Sequence, residues 1–374
     1  MTAASALLDS PFRFEGPHYA VGFSLWKKRF VKAFLPDAQL SFVRSFQQVP
    51  RGAPVVVWGH SVDPALKVAT ESGELPAATR VLRLEDGFLR SVGLGAGLTR
   101  PISWVVDPVG IYYDSTAPSA LEQLLETHPF PEPLLNRAQN LIDRIRALNL
   151  TKYNVGTLRW TPPATQRPLF LVPGQVECDA SIRFGTDAIR TNLALLLAVR
   201  KAHPDAFILY KPHPDIVSGL RASGPDEANA RLACDAVVAD VSMGELLETV
   251  QQVHVMTSLT GFEALLRQKT VVCYGTPFYA GWGLTEDRAA LARRQRTLSL
   301  QQLAAATLLL YPRYLHPDTA QTIEAEDALE ILSRHRHAKN AAGNHLLKSY
   351  VNRLFQAIVG FHNRANDRKR AVQF

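Results

Sequence analysis

Leu209-Tyr-Lys-Pro-His-Pro-Asp215 is the stretch that decides how the second half of the chain folds. The apolar run from Ala206 to Leu209 predicts a buried strand that delivers Lys211 and His213 at its carboxyl end, where open α/β sheets bind ligands. The prolines keep the backbone out of a helix, and a lysine ammonium beside an imidazolium suits a phosphate. The same residues also fit a capped strand end in which the histidine is hydrogen-bonded to backbone.

A second strand end of this kind lies downstream. Val253-His-Val-Met256 predicts a strand, Thr257-Ser-Leu-Thr-Gly261 a polar turn, and Phe262-Glu-Ala-Leu-Leu-Arg267 a helix. Hydroxyls and backbone N–H groups at a helix N-terminus bind anions, although Ser258 or Thr260 would also serve as an N-cap. Two such strand ends in one sheet predict a nucleotide phosphate site.

An aromatic loop follows the next predicted strand, Thr270-Val-Val-Cys-Tyr274. It runs from Gly275 to Gly283 and contains Tyr279 and Trp282. Glycines beside aromatic residues would allow a flat ring to approach closely, so both rings are candidate pocket residues.

The N-terminal half has its densest polar cluster in Val81-Leu-Arg-Leu-Glu-Asp-Gly-Phe-Leu-Arg-Ser91, directly after a short predicted strand. Glu85 and Asp86 are adjacent carboxylates, and Arg90 is close enough to pair with one of them. Such a pair can divide into an ionised and a protonation-prone group, as general acid/base catalysis requires. An Asp-Gly turn with a surface ion pair is the structural alternative.

Two further polar residues follow predicted strands in this half. His60 comes directly after the buried strand Pro54-Val-Val-Val-Trp-Gly59, and Asp114 ends a segment expected to form two short strands around the turn Asp107-Pro-Val-Gly110. Asp114 and the tyrosines before it could line a sugar pocket, although turn and core roles are commoner for such residues.

The composition is that of an enzyme with a large core. The chain has 374 residues, of which 47% are hydrophobic and 20% charged, so disorder and a fibrous protein are excluded. Cys178, Cys234 and Cys273 lack metal-ligand spacing and lie in or beside predicted core segments, which indicates a reduced, cytoplasmic protein. The N-terminus lacks the features of a secretory signal, and no apolar run is long enough to span a bilayer.

The net charge of +7 is concentrated at the C-terminus. From Arg334 onward there are nine Lys or Arg residues against one acid, Asp367, so no basic face is predicted for nucleic-acid binding. Apolar pairs recur every four residues from Leu346 to Val359, and this predicts an amphipathic helix on an anionic membrane surface. Packing of that helix on the N-terminal domain is the alternative. The basic segment 23–35 is interpreted as the first helix of a domain, with membrane contact as its second interpretation.

Alternation of strands and helices in both halves predicts an α/β fold with two doubly wound, Rossmann-like domains that face each other across a cleft. The sequence around Trp160-Thr-Pro-Pro-Ala164 predicts the boundary. The expected domains are residues 1–160, with the acid/base cluster, and 161–335, with the nucleotide site, followed by an amphipathic helical tail, 336–374. Single helices are expected over 121–148 and 187–202.

Eight blocks of this sequence, taken together, resemble the bacterial capsule polysaccharide synthesis proteins that add β-linked 3-deoxy-D-manno-oct-2-ulosonic acid (Kdo), the KpsC/LipA type. The blocks appear in the family's order between about residue 50 and about residue 315. They are Val57-Trp-Gly-His60, Leu84-Glu-Asp-Gly-Phe-Leu-Arg-Ser91, Gly110-Ile-Tyr-Tyr-Asp114, Lys152-Tyr-Asn154, Gln175 with Asp179, Lys211-Pro-His-Pro-Asp215, Thr257-Ser258 with Gly261-Phe-Glu263, and Pro277-Phe-Tyr-Ala-Gly-Trp-Gly-Leu-Thr285.

The resemblance implies a CMP-Kdo donor, a GT-B-like fold, and no metal or other cofactor. It implies that Lys211 and His213 hold the donor phosphate, that Thr257, Ser258 and the helix behind them hold CMP, and that Glu263 reaches the ribose. The donor-binding set is Gln175, Lys211, His213, Thr257, Ser258, Gly261 and Glu263.

The resemblance also implies retention of anomeric configuration by double displacement, which needs a carboxylate nucleophile beneath C2 of Kdo. Asp179 occupies the matching position, and Glu177 is a rival carboxylate two residues earlier. Glu85 or Asp86 is then the acid/base for the acceptor hydroxyl. The other pocket candidates are His60, Arg90, Asp114, Tyr279 and Trp282.

The implied partners are CMP-Kdo, a lipid-linked or Kdo-terminated glycan acceptor, the anionic membrane and a capsule assembly complex, with the protein peripheral on the inner face of the plasma membrane. Long family members carry two such modules and this chain has room for one, so the linkage stays open. One alternative is a transferase for another CMP-activated acid such as sialic acid. Another is a catalytically silent member that binds glycan or serves as a scaffold.

Overall fold

A computed structural model describes residues 12–76, 79–94, 99–156 and 160–341. These residues form two compact units. The first unit consists of residues up to 90, 101–140 and 301–328, and the second unit of residues 91–100, 141–300 and those from 329 onward. The division therefore does not fall at residue 160, as the sequence predicted, and residues 301–328 return to the first unit.

The strands are numbered along the chain. Within the described residues they are β1 (Gly16–Val21), β2 (Ala38–Val43), β3 (Val55–Trp58), β4 (Val81–Asp86), β5 (Ser103–Asp107), β6 (Leu169–Pro173), β7 (Phe207–Lys211), β8 (Ala236–Val237), β9 (Gln252–Val255), β10 (Thr270–Cys273), β11 (Glu286–Asp287), β12 (Pro312–Leu315) and β13 (Thr322–Ile323).

The α-helices are numbered in the same way. In the described part of the chain they are α1 (Leu25–Phe34), α2 (Asp63–Glu71), α3 (Ala120–Thr127), α4 (Glu132–Ala147), α5 (Ala180–Gly185), α6 (Asn192–Ala202), α7 (Pro214–Val217), α8 (Glu227–Leu232), α9 (Met243–Thr249), α10 (Leu259–Leu265), α11 (Leu300–Ala304) and α12 (Ala325–Ala341). A 3₁₀ turn, Phe46–Gln48, precedes β3, and a π-helical turn, Ala305–Leu310, follows α11.

The first unit has a mixed sheet with the order β13-β12-β5-β4-β3-β1-β2. Strands β1 to β4 are parallel, whereas β5 runs antiparallel to β4, β12 antiparallel to β5, and β13 antiparallel to β12. The doubly wound prediction therefore holds for only part of this sheet.

The second unit has a fully parallel sheet with the order β11-β10-β9-β6-β7-β8. Counted along the unit, this is the 6-5-4-1-2-3 order of a dinucleotide-binding fold. The direction of winding reverses between β6 and β9, and ligands of such sheets bind outside the carboxyl ends of the strands at that point. The predicted Rossmann-like sheet is confirmed here. How the two sheets face one another stays a prediction.

Helix α1 packs on the sheet of the first unit and confirms the interpretation of segment 23–35 as a domain helix. Ser24 caps it, with its hydroxyl accepting from the Lys27 amide. Phe34 is buried and stacks on Trp104 with ring centroids 4.7 Å apart. The Lys27 ammonium lies 3.2 Å from the centroid of the Trp58 ring, so this lysine covers an aromatic face of the domain.

Two predicted helices have different bounds in the structure. The helix expected over 121–148 is divided into α3 and α4, because prolines 129 and 131 disfavour helical backbone before them and Phe130 has φ = 49°. The helix expected over 187–202 begins at Asn192, where the Thr191 hydroxyl accepts from the Ala194 amide at 3.1 Å.

The predicted tail also begins later than expected. Helix α12 continues through residues 336–341, and the Arg336 guanidinium donates to the carbonyl of Asn149 at 2.8 Å. Residues 342–374 lie outside the described residues, so the amphipathic helix and its membrane contact stay predictions. Within the described part of the chain, no helix is both long enough and apolar enough to cross a membrane.

A buried carboxylate fixes the return of the chain to the first unit. Tyr311, fully buried just before β12, donates to Asp107 Oδ2 at 2.7 Å. The same carboxylate accepts from the amides of Val109 and Gly110, each at 2.8 Å, and from Ala120 at the start of α3. One side chain at the end of β5 thus ties together a turn, a helix and a strand from far along the chain.

We expect Asp107→Ala to lower the free energy of unfolding by about 3 kcal/mol or more, since four donors, two of them buried, would lose their acceptor. Urea unfolding followed by tryptophan fluorescence measures this. The control is Glu71→Ala, an exposed partner of Lys67, which should change stability by less than about 0.5 kcal/mol. A loss no larger than that of the control would contradict the role given to Asp107.

Candidate functional site

Gln175 and Thr257 join the carboxyl ends of β6 and β9 at the point where the winding reverses. Gln175 Nε2 donates to Thr257 Oγ1 at 3.0 Å, and the Thr257 amide donates to Gln175 Oε1 at 3.0 Å. Gln175 is buried, and its own backbone is held on both sides by the Asn192 side chain. The two strand ends that the sequence predicted to lie in one sheet, those of β7 and β9, do lie in one sheet, with β6 between them.

Ser258 and Gly261 shape the turn behind this pair. The Ser258 hydroxyl caps α10 by accepting from the Thr260 amide at 3.2 Å. A Cβ on Gly261 would lie 2.3 Å from the Tyr279 hydroxyl, so only glycine allows that ring to pack here. Tyr279 donates this hydroxyl to the carbonyl of Ser258.

The structure argues against the pocket-lining role predicted for Tyr279 and Trp282. Both rings are fully buried. The Trp282 indole N–H donates to the carbonyl of Phe278 at 2.8 Å, and Arg294 donates to the carbonyls of Pro277 and Ala280. The aromatic loop is a packed support for the start of α10 and does not offer its rings to a ligand.

The structure also argues against the phosphate contact predicted for Lys211. Its ammonium, at the end of β7, donates to the carbonyls of Val238, Ala239 and Val241 at 3.4, 2.9 and 2.6 Å. Three acceptors use all the hydrogens of an ammonium. Burial lowers the pKa of Lys211 to about 8. Lys211 thus holds the segment 238–241, and hydrogen bonds to backbone carbonyls compensate the ammonium for its loss of hydration.

His213 is placed as predicted, two residues beyond β7, but its ring favours the neutral form. Nδ1 accepts from the Asp215 amide at 3.2 Å and caps α7, so the ring proton lies on Nε2. Burial lowers the pKa of His213 below its ordinary value of 6.5, and Asp215 and Asp179 oppose that shift. The imidazolium expected from the sequence is therefore replaced by a neutral ring with one N–H donor at Nε2.

The two rival carboxylates of the 175–179 block have different environments. Glu177 accepts from the Asn192 amide at 2.7 Å, and burial raises its pKa. A Cβ on Gly224 would lie 2.0 Å from Glu177 Oε2, so this partly buried carboxylate packs against Gly224. Asp179 precedes α5 and its side chain is 50% exposed, with Arg221 Nη2 at 3.9 Å and the Ser181 hydroxyl at 3.4 Å. Asp179 is the accessible carboxylate.

Glu263 is buried and holds a loop, which argues against the ribose contact predicted for it. Its Oε1 accepts from the Lys152 amide at 2.7 Å, and burial raises its pKa. The same loop is held by Asn154, whose side chain accepts from the Thr151 amide and donates to the carbonyl of Ser91. The Lys152-Tyr-Asn154 block thus folds as a fixed loop in the second unit.

Sequence reasoning gave no role to two cations that act on His213. Positive charge on Arg221 and on Lys152 lowers the pKa of His213, in addition to the effect of burial. Arg221 lies outside every block that carries the family resemblance. Its position follows from α7, where the Arg221 amide donates to the carbonyl of Asp215 at 3.0 Å, a contact that no sequence pattern signals.

In the first unit, Asp86 and Arg90 form the predicted ion pair. Arg90 Nε lies 2.6 Å from Asp86 Oδ2, and Arg90 is buried. Glu85 Oε1 accepts from the Asp86 amide at 3.0 Å, and its Oε2 would lie 3.0 Å from a Cβ on Gly59. Of the two adjacent carboxylates, Asp86 is held by the Arg90 guanidinium, and Glu85 lies beside Gly59, the residue that follows β3.

His60 and Asp114 are brought together next to Glu85. His60 Nε2 lies 3.0 Å from Asp114 Oδ2, and His60 Nδ1 contacts Asp63. Burial would lower the pKa of His60, but the contacts with Asp114 and Asp63 outweigh it and raise the pKa above 6.5. Burial would raise the pKa of Asp63 and of Asp114, but the contacts with His60 hold both below the ordinary 3.8, together with Arg83 at Asp63 and Thr116 at Asp114.

Asp63 and Arg83 were missed in this cluster. Arg83 Nη1 donates to Asp63 Oδ1 at 2.7 Å and to the carbonyl of Gly59 at 2.6 Å. Arg83 and Glu85 are two residues apart on β4 and therefore lie on the same face of the strand. This period-two pattern is visible in the sequence. Among the described residues, no group of three or more His, Cys, Asp or Glu side chains could hold a metal ion.

Comparison with known proteins identifies relatives over most of the chain. The family model described as capsule polysaccharide biosynthesis protein matches residues 54–314. The capsule polysaccharide modification protein LipA of Neisseria meningitidis serogroup A / serotype 4A is 45% identical over 343 residues, or 89% of this chain and 48% of LipA. The lipopolysaccharide-processing protein LpsZ of Rhizobium meliloti is 39% identical over 82% of this chain and 72% of LpsZ. The chain thus spans about half the length of LipA.

Two solved structures are similar across nearly their whole length. The Thermosulfurimonas dismutans KpsC β-Kdo 2,7 transferase has a TM-score of 0.71 and 40% identity, and the match covers 86% of this chain and 99% of that one. The KpsC β-Kdo 2,4 transferase has a TM-score of 0.70 and 32% identity, over 84% and 97%.

We expect Lys211→Met to speed hydrogen exchange at the amides of residues 236–244, because the segment 238–241 loses its three contacts with the ammonium. Exchange followed by mass spectrometry measures this, with Lys201→Met on the exposed end of α6 as the control. If hydrogen exchange in Lys211→Met is unchanged and the affinity for CMP is lost, the result would instead support the phosphate contact predicted for Lys211.

We expect the ring of His60 to titrate above pH 6.5 in an NMR titration, and Asp114→Asn to lower that pKa. Since the folded pKa exceeds the unfolded one, this stabilisation is present below pH 6.5 and is lost as the pH rises through the raised pKa. A His60 pKa that does not change in Asp114→Asn would show that the cluster is not coupled.

Proposed function

This chain belongs to the capsule polysaccharide biosynthesis protein family, of the KpsC/LipA type, and from that premise we propose that it transfers β-Kdo from CMP-Kdo with retention of configuration. Its relatives support a glycosyltransferase that acts in capsule synthesis. The observation that supports this finer proposal is the contrast between the half-exposed carboxylate of Asp179 and that of Glu177, which accepts a hydrogen bond from the Asn192 amide.

Asp179 is the proposed nucleophile. It lies beyond β6, at the sheet edge where the winding reverses, and its carboxylate does not cap the helix that it precedes, although the Ser181 hydroxyl lies 3.4 Å from it. Its oxygen would bond to C2 of Kdo as the bond from C2 to the phosphate oxygen breaks and CMP departs. The acceptor hydroxyl would then displace Asp179 from C2 and lose its proton to a base. Two inversions at C2 give retention.

His213 is the proposed donor to the departing phosphate. In the free protein its neutral ring carries the proton on Nε2, which suits donation of a hydrogen bond to an anion. Negative charge grows on the phosphate oxygen as the bond to C2 breaks. The hydrogen bond from His213 therefore stabilises the transition state more than the ground state. Lys152, whose charge acts on the same ring, takes the place that the sequence assigned to Lys211.

Glu85 is the proposed acid/base for the acceptor hydroxyl. The ion pair with Arg90 engages the carboxylate of Asp86, so the proton transfer is assigned to Glu85. The acceptor is proposed to be a Kdo-terminated or lipid-linked glycan. Of the two similar solved structures, the KpsC β-Kdo 2,7 transferase shares 40% identity with this chain and the 2,4 transferase shares 32%, which favours the 2,7 linkage.

We expect Asp179→Asn to lower kcat by about three orders of magnitude or more while CMP still binds, because the nucleophile makes the new bond and the phosphate is held elsewhere. The measurement is transfer from CMP-Kdo to a synthetic Kdo-terminated acceptor, with CMP affinity determined by calorimetry.

Glu177→Gln is the matched control, since it removes the rival carboxylate. It should lower stability and leave turnover of the folded fraction largely intact, because Glu177 contacts the Asn192 amide. NMR of the product gives the configuration at C2 and the linkage. Near-normal turnover in Asp179→Asn, or an inverted product, would refute the double-displacement proposal.

A further inference from the structure

Arg221 lies beside the proposed nucleophile without having a place in the reaction described so far. Its Nη2 is 3.9 Å from Asp179 Oδ1 and 3.8 Å from Cys178 Sγ. The side chain is 18% exposed, so a ligand at Asp179 can reach the guanidinium. The turn after α7 fixes the backbone, because the Arg221 amide donates to the carbonyl of Asp215.

The chemistry of an acidic sugar donor creates a need for a cation at this position. In a 2-ulosonic acid the carbon that the nucleophile attacks also bears a carboxylate. Asp179 must therefore approach C2 while a second negative charge lies within a few ångströms, and like charges at such distances repel strongly in a partly dry site. A donor with an aldose sugar has no such carboxylate.

A guanidinium can relieve this repulsion because its donors are arranged in a planar fork that binds carboxylates in a bidentate manner. Arg221 is close enough to Asp179 to contact both carboxylates, and its charge is felt at His213, where the donor phosphate is proposed to lie. The positive charges of Arg221, beside Asp179, and of Lys152 both act on His213, so two cations are available for the two anionic groups of a CMP-linked ulosonic acid.

We propose that Arg221 is a specificity-determining residue that binds the carboxylate of the donor sugar next to Asp179 and so selects 2-ulosonic acids over aldoses. This inference rests on the proposed function, since it requires a CMP-activated acidic sugar as the donor. It assigns the phosphate and the carboxylate of the donor to different cations.

The test compares two ligands that differ only in the acidic sugar. CMP has the nucleotide alone, and CMP-Kdo adds the sugar with its carboxylate. We expect Arg221→Met to raise the KM for CMP-Kdo by about 10- to 100-fold, the worth of a charge-assisted hydrogen bond, and to change the Kd for CMP by less than about threefold. Arg221→Lys should give a smaller rise, because an ammonium keeps the charge without the fork.

Arg231→Met is the matched control. Arg231 is an exposed arginine at the end of α8 in the same unit, and its removal should leave both constants unchanged. Circular dichroism shows whether each variant is folded, and Arg221→Lys carries the test if Arg221→Met is not. Asp179→Asn provides the contrast, since it should lower kcat and keep the KM for CMP-Kdo near that of the wild type.

The outcomes separate this inference from the proposed function. Equal losses of CMP and CMP-Kdo affinity in Arg221→Met would show that Arg221 binds the nucleotide. No loss of either affinity would show that Arg221 does not contact the donor, and each of these results overturns the inference. If the wild type uses CMP-sialic acid and not CMP-Kdo, with the same dependence on Arg221, the Kdo assignment fails and the inference holds. A wild type that binds CMP but uses neither donor overturns both.

Discussion

The reciprocal pair of hydrogen bonds between Gln175 and Thr257 is the interaction on which the second unit depends. It closes the gap between β6 and β9, the two central strands from which the chain winds in opposite directions. The loop with Asp179 leaves one of these strand ends, and the turn with Ser258 leaves the other. Both polar groups are satisfied within a largely buried setting, where an unpaired donor or acceptor would cost about 1–3 kcal/mol. The proposed site is built on this fixed edge.

Many of the polar residues that look like ligands in the sequence are supports in the structure. Lys211 holds the segment 238–241, Glu263 holds the loop at Lys152, and Glu177 holds the start of α6. Each buried charge is matched by backbone groups, which compensates its loss of hydration. In contrast to these supports, Asp179 has an accessible carboxylate and His213 has a single N–H donor at Nε2. This contrast favours the reactive roles proposed for both residues.

Local patterns predicted the strands and turns of the second unit well, because apolar runs that end in small polar residues report directly on β6, β7 and β9. The roles of single residues were harder to predict. Glu263 and its partner Lys152 are 111 residues apart, and Lys211 meets Val241 30 residues later, so residue type was visible but the partner was not. The return of β12 to the first unit was missed for the same reason, since pairing with β5 is non-local.

That return also determines when each sheet can be completed during synthesis on the ribosome. Strand β12 lies between β5 and β13, and Tyr311 donates to the carboxylate of Asp107, so the sheet of the first unit is incomplete until residue 323 has emerged. The six strands of the parallel sheet are all contained in residues 169–287 and are available earlier. The sheet that begins first is therefore completed last, and until then β5 presents an open edge that could pair with other nascent chains.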